Sequence, residues 1–402
     1  MDPIHNPFAP SAGRRPPELA GREDILSSAK VAYQRVMRDR HARPMMLLGL
    51  RGTGKTVLLN EFKRIGETEG LLVSRIEAPE DASLARLIVP EMRKIMRSLS
   101  GIEAAKQYAV RGLRGLQNFA SVFDINAAGI GIGVEGASEP EPGLADSGDI
   151  QFDLPELFEN LGKAAQAANK AWLLLIDEVQ YLNSEDLSAL IVSLHMVSQG
   201  NLPIAFAGAG LPQVAKLAGE AKSYAERLFI YPPIGPLDRA AATDAIEKPI
   251  VNEGALVSSD AVGRIFEATS GYPFFLQEWS YHAWDAATGP EITLADVENI
   301  HETVIQSLDD GFFKVRMDRL TRAETEFVAA MANLGDGPYA ISDVAQVLKR
   351  KTQSLGPARA SIIHKGMVYS PEHGQLAFTV PLFAEFMRRQ YGSINKSSNR
   401  RK

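Results

Sequence analysis

Apolar positions along the chain recur at two spacings, and the alternation between them predicts the elements. Over 25–38 they fall at helical intervals, Pro44 ends that pattern, and 45–50 is a short apolar run entering a glycine-rich turn. A helical stretch beginning VLLNEFKRI follows. A second apolar run, 71–76, precedes helical stretches over about 82–99 and 104–120. Residues 130–136, IGIGVEG, alternate as a β-ribbon does, and 138–149, SEPEPGLADSGD, is acidic and rich in Pro and Gly, which predicts a mobile linker. Helical spacing returns over 154–168. The apolar run 172–176 then ends in Asp177 and Glu178, a helix is predicted over 187–197, a buried strand over 202–207, and a weaker strand over 227–231 with Ile234.

Strands alternating with helices predict an α/β fold, a parallel sheet with helices on both faces. From 239 to about 307 the spacing is helical only. The first 20 residues are rich in Pro and Gly without periodicity, which predicts an extended arm and no packed element. Past 310, a helix over 320–335 has Thr321 as N-cap with Glu324 three residues on, a capping-box spacing. Further helices are predicted over 341–349, with Ser342 as cap, and over 356–365. MVYSPEHGQLAFTVP reads as a hairpin turning at His373 and Gly374, and PLFAEFMRRQY as a last helix. Three helices and a hairpin are the plan of a winged helix. A helix over 308–319 leads into it, and its Phe312 and Phe313 read as core.

The chain has 402 residues, enough for several domains, and its 45% hydrophobic content excludes a mostly disordered chain. It has no cysteine, which excludes disulfides, a thiolate nucleophile and thiolate zinc sites. Seven histidines are scattered without ligand spacing. No apolar stretch is long enough to span a membrane, and MDPIHNPFAPSAGRRPP has no apolar core, so a cytoplasmic protein is expected. The net charge of -6 is uneven: residues 311–402 hold fifteen basic and seven acidic residues, a net +8, leaving -14 for the rest. A basic C-terminal module can meet a polyanion, or can simply present a solvated face.

Residues 49–56 read GLRGTGKT, the GxxxxGK pattern followed by Ser or Thr, after a predicted strand and before a predicted helix. Glycines let the backbone N–H groups form a nest for phosphate at the positive end of a helix. Gly49, Leu50, Arg51, Gly52, Thr53, Gly54, Lys55, Thr56 and Val57 are the candidate ATP-binding residues. Lys55 is expected to reach the β and γ phosphates and Thr56 to hold Mg²⁺. In WLLLIDEVQ, Asp177 is placed at a strand's carboxyl end to bind Mg²⁺ and Glu178 to activate water, unless the pair caps the following helix.

Together the phosphate loop, the terminal Asp177–Glu178 pair, the helix-only segment and the basic module resemble the AAA+ class of P-loop ATPases. More narrowly they resemble archaeal-type and origin-recognition-like members with a C-terminal winged helix. The resemblance implies an arm over 1–20, a nucleotide-binding core over 21–237 with an acidic insert at 137–150, a helical lid over 238–310, a winged helix over 311–392 and a basic tail over 393–402. PPELAGRED, residues 16–24, resembles the segment that lies near adenine in that family. SYAERLFIYPPIGPL, residues 223–237, resembles the approach to the last core strand, which makes Arg227 either an arginine finger for a neighbour's nucleotide or a surface ion-pair residue.

Two departures stand out. Residues 204–212, IAFAGAGLP, offer only Gly and Ala where the family places a polar residue at the fourth strand's end, and 270–278, SGYPFFLQE, lack the lid arginine. Gly271, Tyr272 and Pro273 resemble the GxP element of STAND NTPases, whose proline abuts adenine. The resemblance thus implies slow ATP hydrolysis and a nucleotide switch. On DNA, Gln353, Ser354, Arg359 and His364 would face bases while Lys349, Arg350 and Lys351 meet phosphates. A STAND-like switch or assembly factor whose winged helix binds a protein, and a homo-oligomer, are the alternatives.

Overall fold

Four apolar segments form the central sheet: β1 (Met45–Leu48), β2 (Leu72–Glu77), β3 (Trp172–Asp177) and β4 (Ile204–Gly210), all parallel in the order β1-β4-β3-β2. Every residue of β3 and β4 is buried, as expected for central strands covered on both faces. The computed structural model describes residues 1–80, 83–126, 133–137 and 139–392. Its contacts divide the chain into two compact units, one of Glu23–Leu48 with Lys55–Pro233, the other of Met1–Arg22, Gly49–Gly54 and Ile234–Lys402.

In the sheet-bearing unit the helices are α1 (Glu23–Val36), α2 (Lys55–Thr68), α3 (Leu84–Ser100), α4 (Glu103–Val122), α5 (Ile150–Ala167), α6 (Ser184–Gln199), α7 (Val214–Ala221) and the one-turn α8 (Ala225–Leu228). Trp172 is fully buried in β3, packs on Phe158 of α5 and donates its indole N–H to Ser74. That bond removes the cost of burying the indole's one polar group.

Three local expectations change here. The weak strand over 227–231 is absent: Arg227 lies in α8, and only two isolated parallel bridges, Met45 to Ile230 and Leu48 to Pro233, continue the sheet beside β1. Pro232 and Pro233 remove the donors that a longer ladder needs. Of the predicted ribbon, 133–136 form turns and 130–132 lie outside the described residues. The acidic segment is pinned instead of loose. Asn118 donates to the carbonyls of Glu141 and Leu144, Arg111 and Arg114 pair with Glu141, Asp153 accepts from Ser147 and Gly148, and Leu144 is buried. Its charges and turns find partners on α4 and α5, which composition cannot reveal.

The second unit contains α9 (Arg239–Asn252), α10 (Ser259–Thr269), α11 (Pro273–Ala286) and α12 (Leu294–Leu308), then a π-helical turn Asp309–Phe313 and α13 (Lys314–Met317). Its remaining helices are α14 (Arg322–Ala332), α15 (Ile341–Leu348), α16 (Gly356–His364) and α17 (Phe383–Tyr391). Two-residue strands β5 (Leu256–Val257) and β6 (Glu291–Ile292) pair in parallel within a stretch expected to be purely helical. Strands β7 (Tyr339–Ala340), β8 (Val368–Tyr369) and β9 (Gln375–Phe378) form an antiparallel sheet in the order β7-β9-β8.

The Thr321–Glu324 capping box forms as predicted. Ser342 does not cap α15: Ala340 holds that position and Ser342 donates to Asp343. One apolar core runs from Phe8 and Ala20 through α9–α12 to α14–α17. Phe313 is its junction, with ring contacts to Phe275, Phe383 and Phe386, so the aromatic pair of the connecting helix is core as expected. The first 20 residues hold a single 3₁₀ turn, Pro3–His5, and are anchored at a few points: Phe8 is 2% exposed, and Asn6 donates to the Tyr281 carbonyl and to Asp285 on α11.

Candidate active site

The loop Gly49–Gly54 connects β1 to α2 and turns through glycine conformations. Gly54 has φ +90, a region that a side chain makes costly, and a Cβ at Gly49 would fall 2.2 Å from the Ile234 carbonyl oxygen. Within the loop, Thr53 Oγ1 donates to the Leu50 carbonyl at 2.8 Å. Three other segments of the same unit hold its backbone. Arg22, 8% exposed, donates to the carbonyls of Gly235 at 2.5 Å and Thr53 at 3.4 Å. The Phe274 N–H donates to the Gly52 carbonyl at 3.2 Å, one residue past Pro273, which opens α11. The Arg51 N–H donates to the Thr379 carbonyl at 2.9 Å, just beyond β9.

At Lys55, 7% exposed, the chain enters α2. No acidic residue occupies the first turn of that helix, and a helix's positive end favours phosphate. Thr56 Oγ1 donates to Asp177 Oδ2 at 2.8 Å, which joins α2 to the end of β3. Val57 lies partly buried in the same turn.

Asp177 is 2% exposed and receives two more polar groups: the Glu178 N–H at 3.0 Å from Oδ1 and Arg75 Nη2 at 3.6 Å from Oδ2. Burial pushes its carboxyl above the ordinary range and the Glu178 charge adds to that, while the Thr56 hydroxyl, the Glu178 N–H and the Lys55 charge act in the opposite direction. A hydroxyl and a carboxylate as neighbours are hard oxygen donors of the kind that suit Mg²⁺ held by few protein oxygens.

Glu178 has a left-handed backbone, φ 56 and ψ 40. Such a conformation costs a residue with a Cβ about 1–2 kcal/mol. Its carboxylate accepts from the Gln180 amide, and Gln180 Oε1 accepts from the Leu211 N–H at 3.0 Å. Arg227 is exposed on α8 and makes no ion pair with a described residue.

On the C-terminal elements, Lys349, Lys351, Gln353, Ser354 and His364 are exposed. Arg350 pairs with Glu326 at 3.4 Å, and Arg359 is half-buried, its Nε buried with no hydrogen-bond partner among the described residues. The basic tail over 393–402 lies outside the described residues. It carries four of the fifteen basic residues counted past 310.

Sequence reasoning assigned no role to Arg22, Arg75, Gln180, Phe274 or Thr379. Arg75 left a signal, a cation in an otherwise apolar strand run, and Gln180 left one by following Asp177 and Glu178 within a turn. For Thr379, whose contribution is a carbonyl, no signal existed.

Residues 18–206 match the family described as the AAA ATPase domain, and residues 310–387 match a domain of unknown function (DUF8462). No curated protein sequence matches the chain. Among solved structures, the Walker-type ATPase of Pyrococcus abyssi is similar over 92% of this chain and 96% of its own, with a TM-score of 0.56 and 15% identity. Orc1 of Aeropyrum pernix, in complex with DNA, aligns over 94% of this chain and 95% of its own at TM-score 0.47 and 12% identity. RuvB of Thermotoga maritima aligns over 89% and 92% at TM-score 0.45 and 14% identity. Among the described residues no helix is long and apolar enough to cross a membrane. With its phosphate loop between β1 and α2 and its acidic pair ending β3, the chain has the fold of the P-loop AAA+ ATPases, and residues 18–206 match the AAA ATPase domain family.

Proposed function

We propose that the protein binds ATP with Mg²⁺, hydrolyses it slowly, and uses the nucleotide state to set the position of a C-terminal winged helix on duplex DNA. The observation that carries the switch is the hydrogen bond from the Arg51 N–H to the Thr379 carbonyl. Thr379 is fully buried, and its N–H and hydroxyl bond to Met367 and Gly366 ahead of β8. A shift of the phosphate loop on binding nucleotide is thereby transmitted to the β8–β9 hairpin. A second route runs from the Gly52 carbonyl through Phe274, stacked on Phe312 at 4.8 Å, to Phe313 and Phe386.

Each side chain of the site has a task in this reading. Lys55 places its ammonium against the β and γ phosphates, and Thr56 and Asp177 hold the metal. Bound Mg²⁺ supplies charge neutralisation between the phosphates. Glu178 accepts the proton of the attacking water. Arg227, exposed on α8, is available to a neighbouring copy's nucleotide. The Gly and Ala residues ending β4 and the absence of arginine over 270–278 support slow turnover.

The boundaries we propose are an arm over 1–20, a core over 21–237, a lid over 238–310, a winged helix over 311–392 and a tail over 393–402. The order α14, β7, α15, α16, β8, β9 supports the winged-helix reading. Lys349, Lys351, Gln353, Ser354 and His364 are its proposed DNA contacts. The Arg350–Glu326 pair and the half-buried Arg359, whose Nε is buried, favour a second reading, a STAND-like switch whose module binds a protein.

One assay separates them: ATP turnover and duplex binding by the full chain from low to moderate salt. The DNA reading expects binding with a steep salt slope. Binding no tighter than that of a neutral control protein at low salt removes DNA and leaves the protein-partner switch.

A further inference from the structure

Gln180 lies on the 3₁₀ turn Val179–Tyr181 that follows β3, and its carboxamide reaches the end of β4. There Oε1 accepts the Leu211 N–H at 3.0 Å while Nε2 donates to Glu178 Oε2. The amide's orientation has one solution: a backbone N–H requires the oxygen, so the NH₂ must face the carboxylate. The small residues that end β4 make room for this. A Cβ on Gly210 would fall 2.9 Å from Gln180 Oε1 and 2.8 Å from Val214 Cγ2. The strand end that carries no polar side chain of its own therefore receives one from the turn that follows the neighbouring strand.

From this geometry we infer that Gln180 is a positioning residue for Glu178. Its carboxamide bridges the ends of β3 and β4 and fixes the Glu178 carboxylate on a backbone held in the left-handed region. Loss of the bridge removes the restraint that Gln180 places on the Glu178 carboxylate beside the proposed position of the attacking water. Errors of about 1 Å in such placement cost on the order of 100-fold in rate. The inference rests on the hydrolytic reading above and assigns a role within that site.

The test compares Gln180→Ala and Gln180→Glu with the parent chain in ATP turnover and in equilibrium binding of a fluorescent ATP analogue. Gln180→Glu keeps an acceptor for the Leu211 N–H and removes the donor to Glu178, so it separates positioning from packing. We expect kcat to fall about 10- to 100-fold in both variants, with KM and analogue affinity within about 2-fold of the parent. Against a Glu178→Gln background, Gln180→Ala should lower residual single-turnover hydrolysis no further, because Gln180 acts through Glu178. Parental kcat in Gln180→Glu overturns the inference. So does a loss of affinity in step with rate, or an equal fold loss in the Glu178→Gln background. A parent chain without turnover overturns the hydrolytic reading, and this assignment with it.

Discussion

Thr56 Oγ1 lies 2.8 Å from Asp177 Oδ2, a hydrogen bond that spans 121 positions of sequence and ties the start of α2 to the end of β3. Arg75 approaches the same carboxylate oxygen at 3.6 Å. Asp177 is thus held by a hydroxyl and a guanidinium at the position proposed for a metal.

Burial raises the Asp177 carboxyl above its ordinary 3.8, so its ionised form is disfavoured by folding. The sign follows: that penalty is absent below the ordinary value and grows as pH rises through the raised folded one. Asp177→Asn should keep or raise the apo melting temperature at pH 7 while weakening Mg²⁺-dependent ATP binding at least about tenfold. Thermal scans without nucleotide and titrations with and without Mg²⁺ read the two effects.

Lys55→Ala and Glu178→Gln should divide binding from turnover. Removing the ammonium should abolish detectable nucleotide binding, whereas Glu178→Gln should retain it and lose about 100-fold or more in kcat. Parental turnover in Glu178→Gln would falsify its role as base.

Glu324 reports on stability and not on chemistry. Burial alone would raise its carboxyl, but bonds from Lys365, Ser361 and the Thr321 N–H and hydroxyl bring it down to about 2. Lys365 Nζ stands 2.8 Å from Oε2. Its stabilisation is therefore complete above the ordinary 4.5 and lost as pH falls toward 2. Lys365→Met should cost about 1–3 kcal/mol at pH 7 and progressively less under acid, measured by urea unfolding.

Nucleotide should alter amide exchange over 366–380 if the phosphate loop drives the hairpin through Thr379. Phe274→Leu keeps apolar bulk but removes the ring stacked on Phe312, a loss of about 1 kcal/mol. It should blunt that change while leaving turnover within about threefold of the parent. Exchange over 366–380 that is identical with and without nucleotide argues against the switch.

Arg227→Ala should lower turnover only where the chain self-associates, because the side chain is exposed on α8. Rates measured across a concentration series, with mass determined in parallel, check this. An equal loss in a demonstrated monomer assigns Arg227 a role within its own chain.

Much of the sheet and its loop was legible in the sequence, and the reasons are local. A run such as WLLLID buries on both faces wherever its sheet forms, and GLRGTGKT can hardly serve elsewhere than between a strand and a helix. The Thr321–Glu324 box needs residues three apart and nothing more. Misreadings occurred where distant partners decide. Residues 139–149 look like a free linker until Asn118, Arg111 and Arg114 of α4 come within reach. Arg227 falls in the helical turn α8, and only the isolated bridges at Ile230 and Pro233 continue the sheet beyond it.

The sequence by itself determined the four strands of the central sheet, most of the long helices, the phosphate loop and the acidic pair, since periodicity, capping and glycine conformation are properties of residues close in the chain. Only the tertiary structure decided that Gln180 reaches Leu211, that Arg75 reaches Asp177 and that Arg51 bonds to Thr379. Those meetings depend on strand order, register and the packing of the second unit's core. A backbone carbonyl such as that of Thr379 is the same in every residue, so its role exists only once the fold has brought it to the loop.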